Sequence, residues 1–142
     1  MASHVRASDV EVGTELPGRS ITLRRVDLIK YAGASGDFNV IHWNQRVAEE
    51  VGLPDVIAHG MLTMAEAIRV VTDWCGDPAA VVEYSTRFTK PVPVPDDAEG
   101  ATVDVNGSVI ELLDGSRVKV NLVVTCGDAK VLGMARAVVQ LA

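Results

Sequence analysis

The chain has 142 residues, 48% of them hydrophobic and 23% charged, which suits one globular domain with a substantial core. Its net charge of −6 argues against nucleic acid, whose phosphates demand a basic surface. No apolar run of about 18 residues is present, and the opening MASHVRASDVEVG carries no apolar core of signal-peptide length, so the chain reads as cytoplasmic with no membrane span.

In chain order, ITLRRV (Ile21 to Val26) reads as a short first strand. Asp27 stands where an N-cap would, ahead of a short helix, LIKYAGA, which Gly33 and Gly36 end. NQRVAEEVG predicts a second short helix, with Asn44 as its cap and Gly52 after it. LPDVIAHG is a loop with a buried end. From Gly60 the apolar spacing predicts the longest helix, with Met61, Met64, Ala65, Ile68 and Val71 on one face and Gly76 as its stop.

The second half is strand-like. Val82, Tyr84, Thr86 and Phe88 alternate with Glu83, Ser85, Arg87 and Thr89 over a segment running from Val81 to Val92. PVPVPDDAEG is a rigid polar loop. ATVDVNGSVIELL and RVKVNLVVTC flank Asp114-Gly115-Ser116, whose Asp-Gly is a strong hairpin signal. Gly127-Asp128 turns into a last strand, KVLGMARAVVQL. No repeat or linker divides residues 1–142. The order predicts a single α+β domain, an antiparallel sheet of about five strands on a long central helix.

Chemistry concentrates in SGDFNVIH, residues 35–42. Asp37 and His42 lie between two short helices, where a rigid scaffold can present a loop. An imidazole titrates near neutrality, and a carboxylate can orient it or share its proton work. An isolated pair of this kind is more often a turn cap and a loop histidine. The residues around it decide otherwise. Tyr31-Ala-Gly-Ala-Ser-Gly-Asp37-Phe-Asn39-Val-Ile-His42, then Ala58-His59-Gly60-Met61, then Arg87-Phe88-Thr-Lys-Pro91-Val92 resemble the MaoC-like, or R-specific enoyl hydratase (hydratase 2), family over essentially the whole chain. Val40 stands where that family usually has proline. The substitution relaxes φ and restores an N–H, and leaves both ionisable residues in place.

The resemblance implies a hot-dog fold and a reversible hydro-lyase, interconverting a (3R)-3-hydroxyacyl thioester with a trans-2-enoyl thioester and water. It points towards dehydratase subunits of fatty-acyl elongation. Asp37 and His42 would hold the water and move the protons. The Gly60 N–H, at a helix N-terminus, would receive the oxyanion. Asn39 and Ser35 read as supports of the loop. His59, Met61 and Met64 are candidate lining residues; His59 reads first as structural, and Met61, Met64, Ile68, Val71 and Trp74 read first as helix core, with an acyl tunnel as the alternative. Arg87 and Lys90 read as solvated charges, with a carrier phosphate as the alternative.

His4 belongs to the N-terminal tail. Cys75 and Cys126 read as buried, reduced thiols. Cysteine and histidine are too scattered for a zinc site, and no cofactor is implied beyond the pantetheine that an acyl-CoA or acyl-carrier-protein substrate brings. The resemblance also implies a dimer, with a second copy or with another hot-dog subunit. A thioesterase on the same fold, or a subunit that completes a partner's acyl tunnel, are the competing readings.

Overall fold

The computed structural model describes residues 3–142. Five strands form one antiparallel sheet: β1 (Glu15–Leu23), β2 (Val81–Phe88), β3 (Ala101–Leu113), β4 (Arg117–Cys126) and β5 (Ala129–Gln140). Their spatial order is β1-β3-β4-β5-β2. Three helices precede β2: α1 (Arg25–Ser35), α2 (Gln45–Glu50) and α3 (Gly60–Cys75). α3 packs on both edge strands, β1 and β2, and on β3 and β4 between them. Five strands span about 19 Å and a helix only about 10 Å, so a flat sheet could not place both edges on α3; the sheet wraps it. This is the hot-dog arrangement. Among the described residues, no helix is long and apolar enough to cross a membrane.

The core lies between α3 and the sheet. Strict alternation buries Val103, Val105 and Val109 on β3, and Val118, Val120, Leu122 and Val124 on β4. Each such side chain contributes about 1.5–3 kcal/mol relative to exposure. The three-residue β3–β4 turn, Asp114 to Ser116, places Gly115 and Ser116 at φ of 72° and 59°, in the left-handed region that tight hairpin turns use.

Several expectations need correction. β1 starts at Glu15 rather than Ile21, and it ends at Leu23 instead of Val26. Pro17 and Gly18 mask its first half in the sequence; both are tolerated because β1 is an edge strand with a register shift between Leu16 and Arg19. Asp27 is the third residue of α1, not its N-cap, and its carboxylate accepts from the Arg24 amide at 2.9 Å. Gly33 lies inside α1, and Gly36, at φ 75°, alone ends it.

β2 stops at Phe88, before the donor-less Pro91 and Pro93, and as an edge strand it leaves Val82 and Phe88 exposed. α3 has the expected bounds but turns a different face inward. Thr63, Ala67, Val70, Val71 and Cys75 are buried, while Met61 is 56% exposed and Ala65 faces outward. Cys75 is buried, but Cys126 only partly so. The His4 amide bonds the Cys75 carbonyl at 2.9 Å, which sets the tail against the end of α3, away from the Asp37 loop.

Candidate active site

Residues 36–59 carry little regular structure and are stapled by side chains. Ser35 Oγ accepts from the Asp37 amide at 3.1 Å, Asp37 Oδ1 from the Asn39 amide at 3.1 Å, and Asn39 Oδ1 from the Ile41 amide at 3.3 Å. This relay of short polar side chains, each taking an amide two residues on, builds the turn and starts the 3-10 turn Val40–His42. Asn44 caps α2 through the Val47 amide at 3.1 Å.

The segment after α2 is fixed from two sides. Val56 and Ala58 exchange backbone bonds with Val94 and Val92, around the Ile57–Pro93 bridge. Arg25 ties the same region down: its guanidinium reaches Asp55 at 2.5 Å, Gln45 at 2.7 Å and the Val94 carbonyl at 2.6 Å.

Ile57 orients the histidine. Its amide bonds the Ile41 carbonyl at 3.2 Å, and its carbonyl lies 2.6 Å from His42 Nδ1. A carbonyl only accepts, so Nδ1 carries the proton. In the neutral ring Nε2 is then a bare lone pair. His42 is 7% exposed and Asp37 is exposed.

His59 lies against both. It is 1% exposed, its ring stacks on His42 with centroids 3.8 Å apart, and Tyr31 meets it edge-on at 4.7 Å. Its Nε2 lies 3.1 Å from the Asp37 carbonyl and must donate there, which leaves Nδ1 bare; Nδ1 is buried with no partner. Burial holds its pKa below the usual 6.5, as does neighbouring His42, while the Asp37 carbonyl and carboxylate pull it upward.

One donor atom each from Asp37, His42 and His59 lies within 4.8 Å of the others. Spacing in the sequence placed these groups too far apart for a metal; the fold gathers them. Their geometry still suits water better. Two near-parallel imidazole planes, inclined by 24°, cannot share one in-plane metal about 2 Å from each nitrogen. A water making two bonds of about 2.8 Å bridges a gap of this size at an ordinary angle.

The group opens on a cavity of about 450 Å³ whose wall includes Gly60, Thr63, Phe88, Lys90 and the apolar Leu53, Val92, Val131 and Leu132. Gly60 begins α3. The first helical bonds are given by the Leu62 and Thr63 amides, both to the His59 carbonyl, so the Gly60 and Met61 N–H groups precede the ladder and are free to donate. A Cβ on Gly60 would meet the Phe88 ring at 2.9 Å, so the glycine lets the end of β2 close on the helix N-terminus.

Among the predicted lining residues, Met61 and His59 reach this cavity and Met64 does not; nor do Ile68, Val71 and Trp74. Lys90 reaches it, and Arg87 does not. Sequence reasoning missed Thr63, whose buried Oγ1 has no partner. It also missed Ile57, Arg25 and Asp55, which set the loop. Only a hydroxyl in the first turn of a predicted core helix could have signalled Thr63.

The sequence pattern described as MaoC like domain matches residues 8–125. Among curated proteins, the chain is 38% identical over 79 residues to 3-hydroxyacyl-thioester dehydratase X of Mycobacterium tuberculosis, covering 56% of this chain and 27% of that one. It is 32% identical over 128 residues to 3-hydroxybutyryl-CoA dehydratase of Methylorubrum extorquens, covering 87% of this chain and 76% of that one. A solved MaoC-like dehydratase superposes with a TM-score of 0.93 at 40% identity, over 96% of this chain and 42% of the other. The chain thus spans about a quarter of the mycobacterial relative and under half of the superposed structure.

Proposed function

The chain belongs to the MaoC-like family, and from that premise we propose that it interconverts a trans-2-enoyl thioester and water with a (3R)-3-hydroxyacyl thioester. The observation that carries this reading is the gathering of Asp37 and His42, with donor atoms within 4.8 Å of each other, at an apolar cavity that also contains the N-terminus of α3. The names of the relatives, all dehydratases, point the same way.

In the hydration direction the water oxygen bonds to C3 of the enoyl group. The C2=C3 electron pair moves towards the thioester carbonyl, whose oxygen gains negative charge. The free N–H of Gly60 and the positive end of the α3 dipole would receive that charge. His42 Nε2, bare in the neutral tautomer, can accept the water proton, and Asp37 holds the same water. The pair takes one proton from water and gives one to C2, so it ends as it began. Elimination runs these steps backwards. The two groups act as a unit, and no fixed division of acid from base is assigned.

The cavity, about 450 Å³, is of the size that holds a small ligand. It suits the reactive head of an acyl thioester, with pantetheine leaving past Lys90 towards CoA or a carrier protein. The chemistry calls on no other cofactor. The partner in this reading is a second hot-dog subunit, a copy or a relative. The open edges of β1 and β2, and the exposed Phe38, Trp43, Met61 and Phe88, support it.

The test is hydration of a short trans-2-enoyl-CoA by the purified chain, followed by loss of the conjugated enoyl absorbance. Asp37→Asn is expected to lower turnover by about 10²- to 10⁴-fold with unchanged melting, since Asp37 is exposed. Release of free thiol without a 3-hydroxyacyl product would establish a thioesterase instead.

A further inference from the structure

The hydration chemistry uses Asp37, His42 and the N-terminus of α3. It gives no task to His59, the most deeply buried polar group beside them. We propose that His59 is a positioning residue: its imidazole and backbone lock the Asp37 loop, the His42 ring and the start of α3 into one rigid unit. The inference rests on the hydratase reading for its kinetic consequences, and on geometry alone for its structural ones.

Three contacts carry it. Nε2–H of His59 holds the main-chain carbonyl of Asp37 at 3.1 Å, so the residue that presents the carboxylate is fixed by its backbone. The His59 ring covers one face of His42 at 3.8 Å and 24°, while Ile57 holds His42 by its edge. The His59 backbone precedes Gly60, and its carbonyl receives the first two amide bonds of α3. One residue therefore touches each of the three parts that must meet around a substrate. A displacement of about 1 Å among such parts can cost about 10²-fold in rate.

The stacking also demands neutrality. His42 becomes an imidazolium whenever it takes a proton from water. A second imidazolium stacked on it would oppose that charge at close range. Around His59 stand Tyr31 from α1, Asp37 from the loop and His42 from the 3-10 turn, with Lys90 on the wall of the same cavity. Burial outweighs the Asp37 attraction and keeps the ring neutral below its usual 6.5. The sign follows from linkage. As pH falls through 6.5 the unfolded chain takes up a proton that folded His59 refuses, so stability held above 6.5 is lost on acidification.

Two substitutions separate the parts of this role. His59→Phe keeps a flat ring against His42 and removes the donor to Asp37. His59→Gln keeps a donor where Nε2 lies and cannot be protonated. Both are compared with wild type by melting, by kcat and KM for the enoyl-CoA across pH 5 to 8, and by nitrogen NMR of the imidazoles. We expect His59→Phe to lower kcat about 10- to 100-fold with KM within about twofold. His59→Gln should recover most of that loss, and the acid limb of its kcat profile should move to lower pH. In wild type, neutral His59 should carry its proton on Nε2, with its pKa below 6.5.

A folded His59→Phe protein with wild-type kcat would overturn the proposal. So would NMR showing that His59 takes up its proton at or above pH 6.5, or that the neutral ring carries its proton on Nδ1. The NMR result stands whether or not the chosen thioester is turned over. An inactive wild type therefore sinks the hydratase reading, and the imidazole measurement alone still decides the fate of His59.

Discussion

Residues 35–60 and residues 101–140 are built by different means. In the second stretch, β3, β4 and β5 satisfy one another through long ladders, and the side chains are left to fill the core. In the first, the backbone has few ladders to join, and Ser35, Asp37, Asn39 and Asn44 accept its amides with their own side chains. A ladder is redundant: no single side chain holds it. A side-chain staple is a single point of failure. The molecule thus keeps bulk stability in one half and geometric precision in the other, and point substitutions should separate the two.

The largest effect on folding belongs to the sheet. Leu122 sits in the centre of β4 with 1% exposure. Leu122→Ala should cost about 2–5 kcal/mol, through lost burial and the cavity left behind. Turnover per folded molecule should stay near wild type, because no ladder bond or site contact involves the lost atoms. Denaturant unfolding and kcat under conditions where the variant is folded measure the two quantities. A collapse of kcat in folded Leu122→Ala would show that sheet packing and loop geometry are one cooperative unit, and the contrast would fail.

A smaller folding effect with a larger functional share belongs to Asn39. Its side chain takes the Ile41 amide and opens the 3-10 turn that ends in His42. Asn39→Ala should lose about 1 kcal/mol, as loss of a cap does. We expect kcat to fall about tenfold as His42 drifts from its register with Asp37. Asn39→Ser, which can still accept from the amide, should restore most of both. If kcat follows stability alone, without the extra loss, Asn39 only closes a turn.

The same division explains what could be read from the chain. β3 and β4 were legible because alternation and an Asp-Gly turn are local signals, and the ladder follows from them. The first half of β1 was hidden because its proline and glycine are tolerated only at an edge, and edge position is a property of the whole sheet. The bounds of α3 were legible from Gly60 and Gly76. Its inner face was not, because Met61 and Ala65 are apolar yet lie outside the core. Asp37 and His42 stood out as a motif. The stack of His59 on His42, the hold of Ile57, and the approach of Val131 and Leu132 to the same cavity involve residues 15 to about 95 positions apart, and no local pattern encodes them.

The finest test of the contrast is Thr63, where α3 belongs to both regions. Its hydroxyl is buried in the cavity wall, one helical turn from His59, with no partner of its own. A buried hydroxyl without a bond costs about 1–3 kcal/mol relative to a bonded one. Thr63→Val keeps the shape and removes the unmet group, and valine and threonine differ little in helix propensity. The variant should therefore be slightly more stable, by about 1 kcal/mol, with a melting point a few degrees higher. If Thr63 Oγ1 is left open for an oxygen of the substrate, kcat/KM for the enoyl thioester should fall about five- to tenfold in the same variant, and Thr63→Ser should keep it. Stability and activity would then move in opposite directions at one atom, as expected where the packed half of the molecule gives up a bond to the reacting half. Equal activity in a stabler Thr63→Val would place Thr63 with the core alone.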